Sequence, residues 1–200
     1  MNTTSCVLLS LLSLSAGFAQ TLTQGERDRA LSELYASRKQ FLDSIAGLTE
    51  AQWNFKPAPD VWSIAECAEH VALSEDLLLN ALPKLMQSPA DPQKKAEVNG
   101  KDELILKGMV DRSHKAKAAE VLLPKHRWPT PAALTEHFKE SRDRTLDYVR
   151  TTQDDLRDHF TSHPVFKTLD AYQFILLMSA HTQRHTAQLN EVKQAAGFPK

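Results

Sequence analysis

Glycine and β-branched aliphatic residues are scarce in this sequence. The 200 residues include only six glycines, and Leu, Ala, Gln, Lys and Glu together far outnumber Val and Ile. Because strands favour Val and Ile whereas Leu, Ala and Glu favour helices, this composition argues against a sheet protein. With 42% hydrophobic and 24% charged residues, the chain has the balance of a globular protein of one domain.

Long apolar runs are also missing, apart from one near the N-terminus. Residues 7–19, VLLSLLSLSAGFA, are uncharged, are too short to span a bilayer and end in a small-x-small cleavage pattern. We therefore predict a signal peptide over residues 1–19, a domain over residues 20–200, export to the bacterial periplasm and no stable membrane anchor. Since no Lys or Arg precedes the apolar run, a buried N-terminal helix is the alternative.

Cysteine is nearly absent, with Cys6 and Cys67 as the two thiols of the chain. Cys6 precedes the apolar run instead of following it, so the arrangement of a lipoprotein signal is missing. Cleavage of the signal peptide would leave Cys67 alone, which excludes an intramolecular disulfide in the mature protein. We interpret Cys67 as a small buried side chain, because free cysteines commonly have that role.

Neither sign of charge dominates, and the formal net charge is −1. The one basic region, residues 93–127, carries nine Lys and Arg against five Asp and Glu and contains no Phe, Tyr or Trp. So dilute a charge does not indicate a nucleic-acid surface, and no nucleic-acid partner is expected. We expect residues 93–127 to form a solvated linker with one short helix, in which His114 and His126 are exposed.

Four segments have the apolar periodicity and the end signals of long helices. Capping motifs at Thr23, Ser63 and Thr130 mark three of the starts. The predicted helices span residues 23–46, 63–86, 131–154 and 168–195. Residues 48–61 and 156–167 are assigned to loops. Four long helices with a long connection between the second and the third predict an all-α four-helix bundle.

Three histidines fall on apolar helix faces. His181 and His185 are four residues apart on the apolar stripe of the fourth predicted helix, and His70 lies on the apolar face of the second. Residues with this spacing have Cβ atoms about 5–6 Å apart, so two imidazoles can bind one ion. Two buried imidazoles need a shared partner, which makes His181 and His185 candidate ligands and His70 a candidate third.

Three stretches resemble the DinB-like (DinB/YfiT) superfamily of metal-binding four-helix bundles. They are FKPAPDVWSIAECAEHVALSE (Phe55 to Glu75), HPVFKTLDAYQ (His163 to Gln173) and HTQRHTAQLNEV (His181 to Val192). In that family one histidine of the second helix and two of the fourth bind a divalent metal. By motif position, the resemblance assigns these roles to His70, His181 and His185. It covers roughly residues 25–195 and departs at Lys167, where relatives often have glycine.

A three-histidine site implies a metal-dependent enzyme, because it leaves a coordination position open for water or substrate. A di-iron carboxylate site is excluded because the sequence contains no Glu-x-x-His pair. Imidazole suits Zn, Ni and Fe equally, so the metal is not identified. The resemblance implies hydrolase-like or thiol-transferase-like chemistry on an unidentified small molecule, and export argues against the thiol branch. The alternative is an exported metal-binding or stress-related module without turnover.

Glu66 is the candidate catalytic residue, one helical turn before His70. From that position it can orient His70, ligate the metal or act as a base. The alternative is that Glu66 only completes the capping box of Ser63. Arg184 is expected to face outward or to pair with an acid, and an apolar outer face on the bundle would indicate a homodimer.

Overall fold

The structure, a computed structural model, describes residues 21–113 and 117–200. The predicted signal peptide over residues 1–19 and His114 lie outside the described residues. The described helices are α1 (Gln24–Ile45), α2 (Glu50–Asn54), α3 (Ile64–Met86), α4 (Lys95–Val98), α5 (Lys101–Val110), α6 (Pro131–Thr151) and α7 (Ala171–Gln194). Short 3₁₀ turns cover Pro92–Lys94 and Glu120–Leu122, and β1 (Phe160–His163) pairs antiparallel with β2 (Lys167–Asp170). No helix in this part of the chain is long and apolar enough to cross a membrane.

Helices α1, α3, α6 and α7 form a four-helix bundle. α1 and α3 each pack against both α6 and α7, so α1 and α3, consecutive in the bundle, lie diagonally opposite each other. The predicted all-α bundle with a long connection between its second and third helices is confirmed. Each of its four helices begins and ends within three residues of the predicted positions.

Side-chain caps fix where these helices begin. Thr23 and Ser63 each accept the backbone N–H three residues later, and the glutamates at those later positions bond back to the cap. Asp170 and Gln173 form the same box at the start of α7. Each box satisfies N–H groups that have no partner within the helix, at a value of about 1 kcal/mol. The start of the fourth helix was predicted three residues too early, because residues 168–170 pair in β2 instead.

Three sequence-based assignments are wrong. Residues 48–61 contain α2 and residues 156–167 contain β1, because elements of four or five residues are too short to show periodicity. Residues 93–127 are not a solvated linker, since Val98 and Ile105 are buried and α5 packs along α7. We call residues 87–130, between α3 and α6, the connection.

A buried arginine joins all four bundle helices. Arg142 of α6 forms two 2.7 Å hydrogen bonds with the Glu75 carboxylate of α3, and both side chains are fully buried. Its remaining donors reach Leu34 O (2.8 Å) and Ser37 Oγ (2.7 Å) on α1 and Thr182 Oγ1 (2.9 Å) on α7. All five guanidinium N–H groups therefore have acceptors. This network fixes the height of α7 relative to α3, the two helices that carry the histidines.

Candidate metal centre

The three predicted histidines converge between α3 and α7. The ring centroids are 4.4 Å apart for His70 and His185, 4.5 Å for His181 and His185, and 5.1 Å for His70 and His181. One nitrogen from each ring lies within 4.8 Å of the other two. His70 and His185 are buried, whereas His181 is partly exposed. The cluster therefore has one side nearer to solvent.

These distances fit a single metal ion. Two nitrogens bound at about 2.1 Å to one tetrahedral ion lie about 3.4 Å apart, so nitrogens that are within 4.8 Å of one another would have to approach by at most about 1.4 Å to share an ion. All three ligand atoms are imidazole nitrogens, a donor set suited to Zn, Ni or Fe.

The hydrogen bonds of the His70 and His185 rings use Nδ1 and leave Nε2 free for a metal. His70 Nδ1 lies 2.9 Å from the carbonyl oxygen of Leu122, and His185 Nδ1 lies 2.9 Å from Oε1 of Gln188. Both partners are oxygens that only accept, so Nδ1 carries the proton in each ring. The lone pair then sits on Nε2, where a metal can bind it.

The electrostatics of the cluster favour neutral imidazoles. Burial lowers the pKa of His70, lowers the pKa of His181 to about 3 and lowers the pKa of His185 well below its usual value. The neighbouring imidazoles lower the pKa of His181 and His185 further, because a second positive charge there would be repelled. At neutral pH all three rings are therefore in the state that ligates metals.

Glu66 lies at the start of α3 and is used by the helix cap. Its carboxylate accepts the N–H of Ser63 at 2.8 Å and contacts Lys56 Nζ at 2.9 Å. The predicted capping box is thus present, while neither the catalytic role of Glu66 nor its exclusion is tested, and both stay predictions. Burial alone would raise the pKa of Glu66, but the hydrogen bonds from Lys56 and Ser63 outweigh it and lower the pKa. A carboxylate with a lowered pKa is a weaker base at neutral pH.

Two further side chains flank His70, Cys67 on α3 and Trp62 just before that helix. Cys67 is fully buried, as predicted, and burial raises the pKa of its thiol to about 12. A thiol in that state is a poor nucleophile and a poor ligand. The indole ring of Trp62 packs against the imidazole of His70, with centroids 5.1 Å apart. The cluster thus has an aromatic neighbour beside its ligands.

Sequence reasoning missed Glu69, which holds the connection over the cluster. Its buried carboxylate accepts the backbone N–H groups of Lys125 (2.9 Å), His126 (2.8 Å) and Arg127 (3.1 Å). These contacts fix the segment that follows Leu122, whose carbonyl binds His70. These amides lie 56 to 58 residues away from Glu69, and a contact of that kind has no local sequence pattern by which it could have been found.

The middle of the connection is held by α7. Arg184 donates to the backbone carbonyls of Met109 (3.1 Å) and Asp111, both of which belong to the connection. Gln188 was also missed, although its position three residues after His185 is the spacing of neighbouring side chains on a helix. His126 is exposed, as expected.

Comparison with known proteins agrees with this fold. The protein is 25% identical over 158 residues to the uncharacterized protein YuaE of Bacillus subtilis, a match that covers 79% of this chain and 93% of YuaE. The solved structure of YfiT from Bacillus subtilis superposes with a TM-score of 0.57 at 14% identity, covering 90% of this chain and 93% of YfiT. That structure is described as a probable metal-dependent hydrolase with an unusual four-helix bundle topology. The sequence profile of the DinB superfamily matches residues 33–189, and the chain belongs to that superfamily.

Proposed function

We propose that this protein is a metal-dependent enzyme of the hydrolase type, with His70, His181 and His185 as the ligands of one divalent ion. The observation that carries the proposal is the convergence of three neutral imidazoles, two of which have their Nδ1 atoms occupied by acceptors. The likeness to YfiT, itself described as a probable metal-dependent hydrolase, supports the same class of chemistry.

A bound divalent ion would supply Lewis acidity and lower the pKa of a coordinated water. The residues of this chain prepare that chemistry. His70 and His185 present Nε2 from buried positions, so two ligands are oriented before an ion arrives. His181, partly exposed, borders the side where substrate can approach. Glu66 is proposed as the proton acceptor, which requires its carboxylate to leave Lys56.

The second candidate is a metal-binding module without turnover. The observation that favours it is the use of the Glu66 carboxylate in the helix cap and in the ion pair with Lys56. Both candidates share the three-histidine site and differ only in whether a base reaches bound substrate. Export to the periplasm, a small-molecule substrate and a homodimer stay predictions, as does the exclusion of thiol-transferase chemistry that depends on export.

The test begins with metal content. The purified protein, loaded separately with Zn, Ni and Fe, should bind one ion per chain, and His185→Ala should lose most of it. His137→Gln is the matched control, since His137 pairs with Asp76 and Trp128 outside the cluster. A wild-type protein that binds none of the three metals would disprove the site.

Turnover is then measured with activated esters such as nitrophenyl acetate. Metal-dependent hydrolysis that is lost in His185→Ala supports the enzyme. Glu66→Gln should lower the rate by about 10²–10⁴-fold at unchanged metal content if Glu66 is the base. Full metal binding without hydrolysis of any ester, amide or phosphate tested would favour the binding module.

A further inference from the structure

We propose that Gln188 is the positioning residue of the metal ligand His185, and that Arg112 of the connection fixes the orientation of the Gln188 amide. This inference rests on the metal site proposed above. It assigns a role to Gln188 on α7 and to Arg112, which lies 76 residues earlier in the chain.

The direction of the hydrogen bonds follows from chemistry. An arginine only donates, so the atom of Gln188 that lies 3.3 Å from Arg112 Nη1 must be the amide oxygen Oε1. The same oxygen lies 2.9 Å from His185 Nδ1. Because an amide oxygen only accepts, His185 must donate from Nδ1 and keep its lone pair on Nε2. Arg112 thereby determines, through one oxygen, which nitrogen of His185 faces the cluster.

Arg112 is itself held in place. Its Nε and Nη2 atoms form a two-point ion pair with the carboxylate of Glu191, at 2.6 and 2.7 Å. Glu191 lies three residues after Gln188, on the same face of α7. Two fixed points on one helix leave the guanidinium little freedom to rotate away from the amide oxygen. The orientation of Gln188 is therefore set before a metal binds.

The two buried ligands are thus held by the same segment in two ways. His70 donates to a backbone carbonyl of the connection, at Leu122, which no substitution removes. His185 donates to a side chain that the connection orients, which a substitution does remove. Without an acceptor at position 188, His185 is free to rotate its ring or to place its proton on Nε2. Metal binding would then have to turn the ring back and move the proton to Nδ1. The loss of such a contact typically costs 10–100-fold in metal affinity.

The test uses Gln188→Met, which keeps the length of the side chain and removes the acceptor. Affinities for Zn²⁺ are measured by competition with a chromophoric chelator, and the visible spectrum of the Co²⁺-loaded protein reports coordination geometry. Gln188→Glu restores an acceptor for both Arg112 and His185. Gln183→Met is the matched control, because Gln183 lies on the same helix but donates to Glu33 and Ser179 instead of a ligand.

We expect Gln188→Met to weaken Zn²⁺ binding by about 10–100-fold and to change the Co²⁺ spectrum. Gln188→Glu and Gln183→Met should both stay within about threefold of the wild type. Thermal unfolding of the metal-free proteins distinguishes weaker Zn²⁺ binding from a general loss of stability. A loss of stability caused merely by replacing a glutamine of α7 with Met would also occur in Gln183→Met. Should Gln188→Met fail to fold, Arg112→Met replaces it, with an intermediate loss of affinity expected.

The inference is overturned if wild-type protein binds Zn²⁺ and Gln188→Met binds it equally well with an unchanged Co²⁺ spectrum. It is also overturned if Gln188→Glu is as weak as Gln188→Met, since an acceptor alone would then not suffice. A wild-type protein that binds no Zn²⁺ or Co²⁺ is a different result, which contradicts the metal site itself.

Discussion

Glu69 and His70, adjacent on α3, hold the same segment of the connection from two sides. Glu69 accepts three backbone N–H groups from residues 125–127, and His70 donates from Nδ1 to the carbonyl of Leu122. The carboxylate therefore helps to determine where the acceptor of His70, a proposed metal ligand, lies. A side chain outside the three-histidine cluster is in this way tied to the geometry of the cluster.

Glu69→Gln should destabilise the protein by about 2–3 kcal/mol, because a buried charged acceptor of three N–H groups is replaced by an amide that donates as well. Urea denaturation of the metal-free protein measures the change. Glu136→Gln, an exposed substitution on α6, is the control and should change the free energy of unfolding by less than about 0.5 kcal/mol. Equal stability of the two variants would show that the contacts of Glu69 do not hold the connection.

Arg142→Met should cost about 3–5 kcal/mol of stability, because it leaves the buried carboxylate of Glu75 without its charged partner. The double variant Arg142→Met with Glu75→Leu should recover part of that loss, since neither buried charge remains. The measurement is a double-mutant cycle from denaturant unfolding. Losses that simply add would mean that the two side chains do not depend on each other.

The metal-free protein should lose stability in acid. An ordinary histidine has a pKa of about 6.5 in the unfolded chain, whereas burial lowers the pKa of His181 to about 3 in the folded protein. As the pH falls below about 6.5 the unfolded chain takes up protons first, so the free energy of unfolding decreases, by at most about 1.4 kcal/mol per pH unit for each such histidine. The stability that comes from keeping the imidazole of His181 neutral is fully present above pH 6.5. It is lost as the pH falls towards about 3, the pKa of His181 in the folded protein.

The free energy of unfolding of His181→Gln should therefore depend less on pH than that of the wild type between pH 6 and pH 4. This range lies between the folded and unfolded pKa values of His181. His126→Gln, which removes an exposed histidine outside the cluster, is the control and should leave the slope unchanged. A slope that stays the same in His181→Gln would contradict the lowered pKa of that imidazole in the folded protein.

Cys67 should react with thiol reagents only when the protein unfolds. Its side chain is fully buried and burial raises the pKa of the thiol to about 12, so the thiolate is scarce at neutral pH. Labelling with Ellman's reagent in a Cys6→Ser background, where Cys67 is the only thiol, should be slow in buffer and fast in denaturant. Rapid labelling of the native protein would show that the space around Cys67 is open.

The sequence predicted those parts of the structure that local rules determine. Capping boxes and apolar stripes place the four bundle helices, and His70, His181 and His185 stand out because imidazoles are unusual on such stripes. The course of the connection was not predictable in this way. Its place over the cluster depends on Glu69 binding backbone amides more than fifty residues away, and backbone donors are the same in every sequence.

The hairpin escaped prediction for a related reason. β1 and β2 are four residues each, and their pairing joins positions that have no apolar alternation of their own. Helix α5 was anticipated as a short helix, but its packing on α7 was not, because only Ile105 on it is fully buried. A single apolar residue does not define a helix face.

The unequal exposure of the three histidines would impose an order on metal uptake at the proposed site. An ion that arrives from solvent would meet His181 first, because His70 and His185 are buried. These two rings already have their Nδ1 protons directed to oxygens, so they are ready to close around the ion without first changing tautomer. If the proposed site binds an ion, release would reverse this order, and His181 would be the last ligand to dissociate.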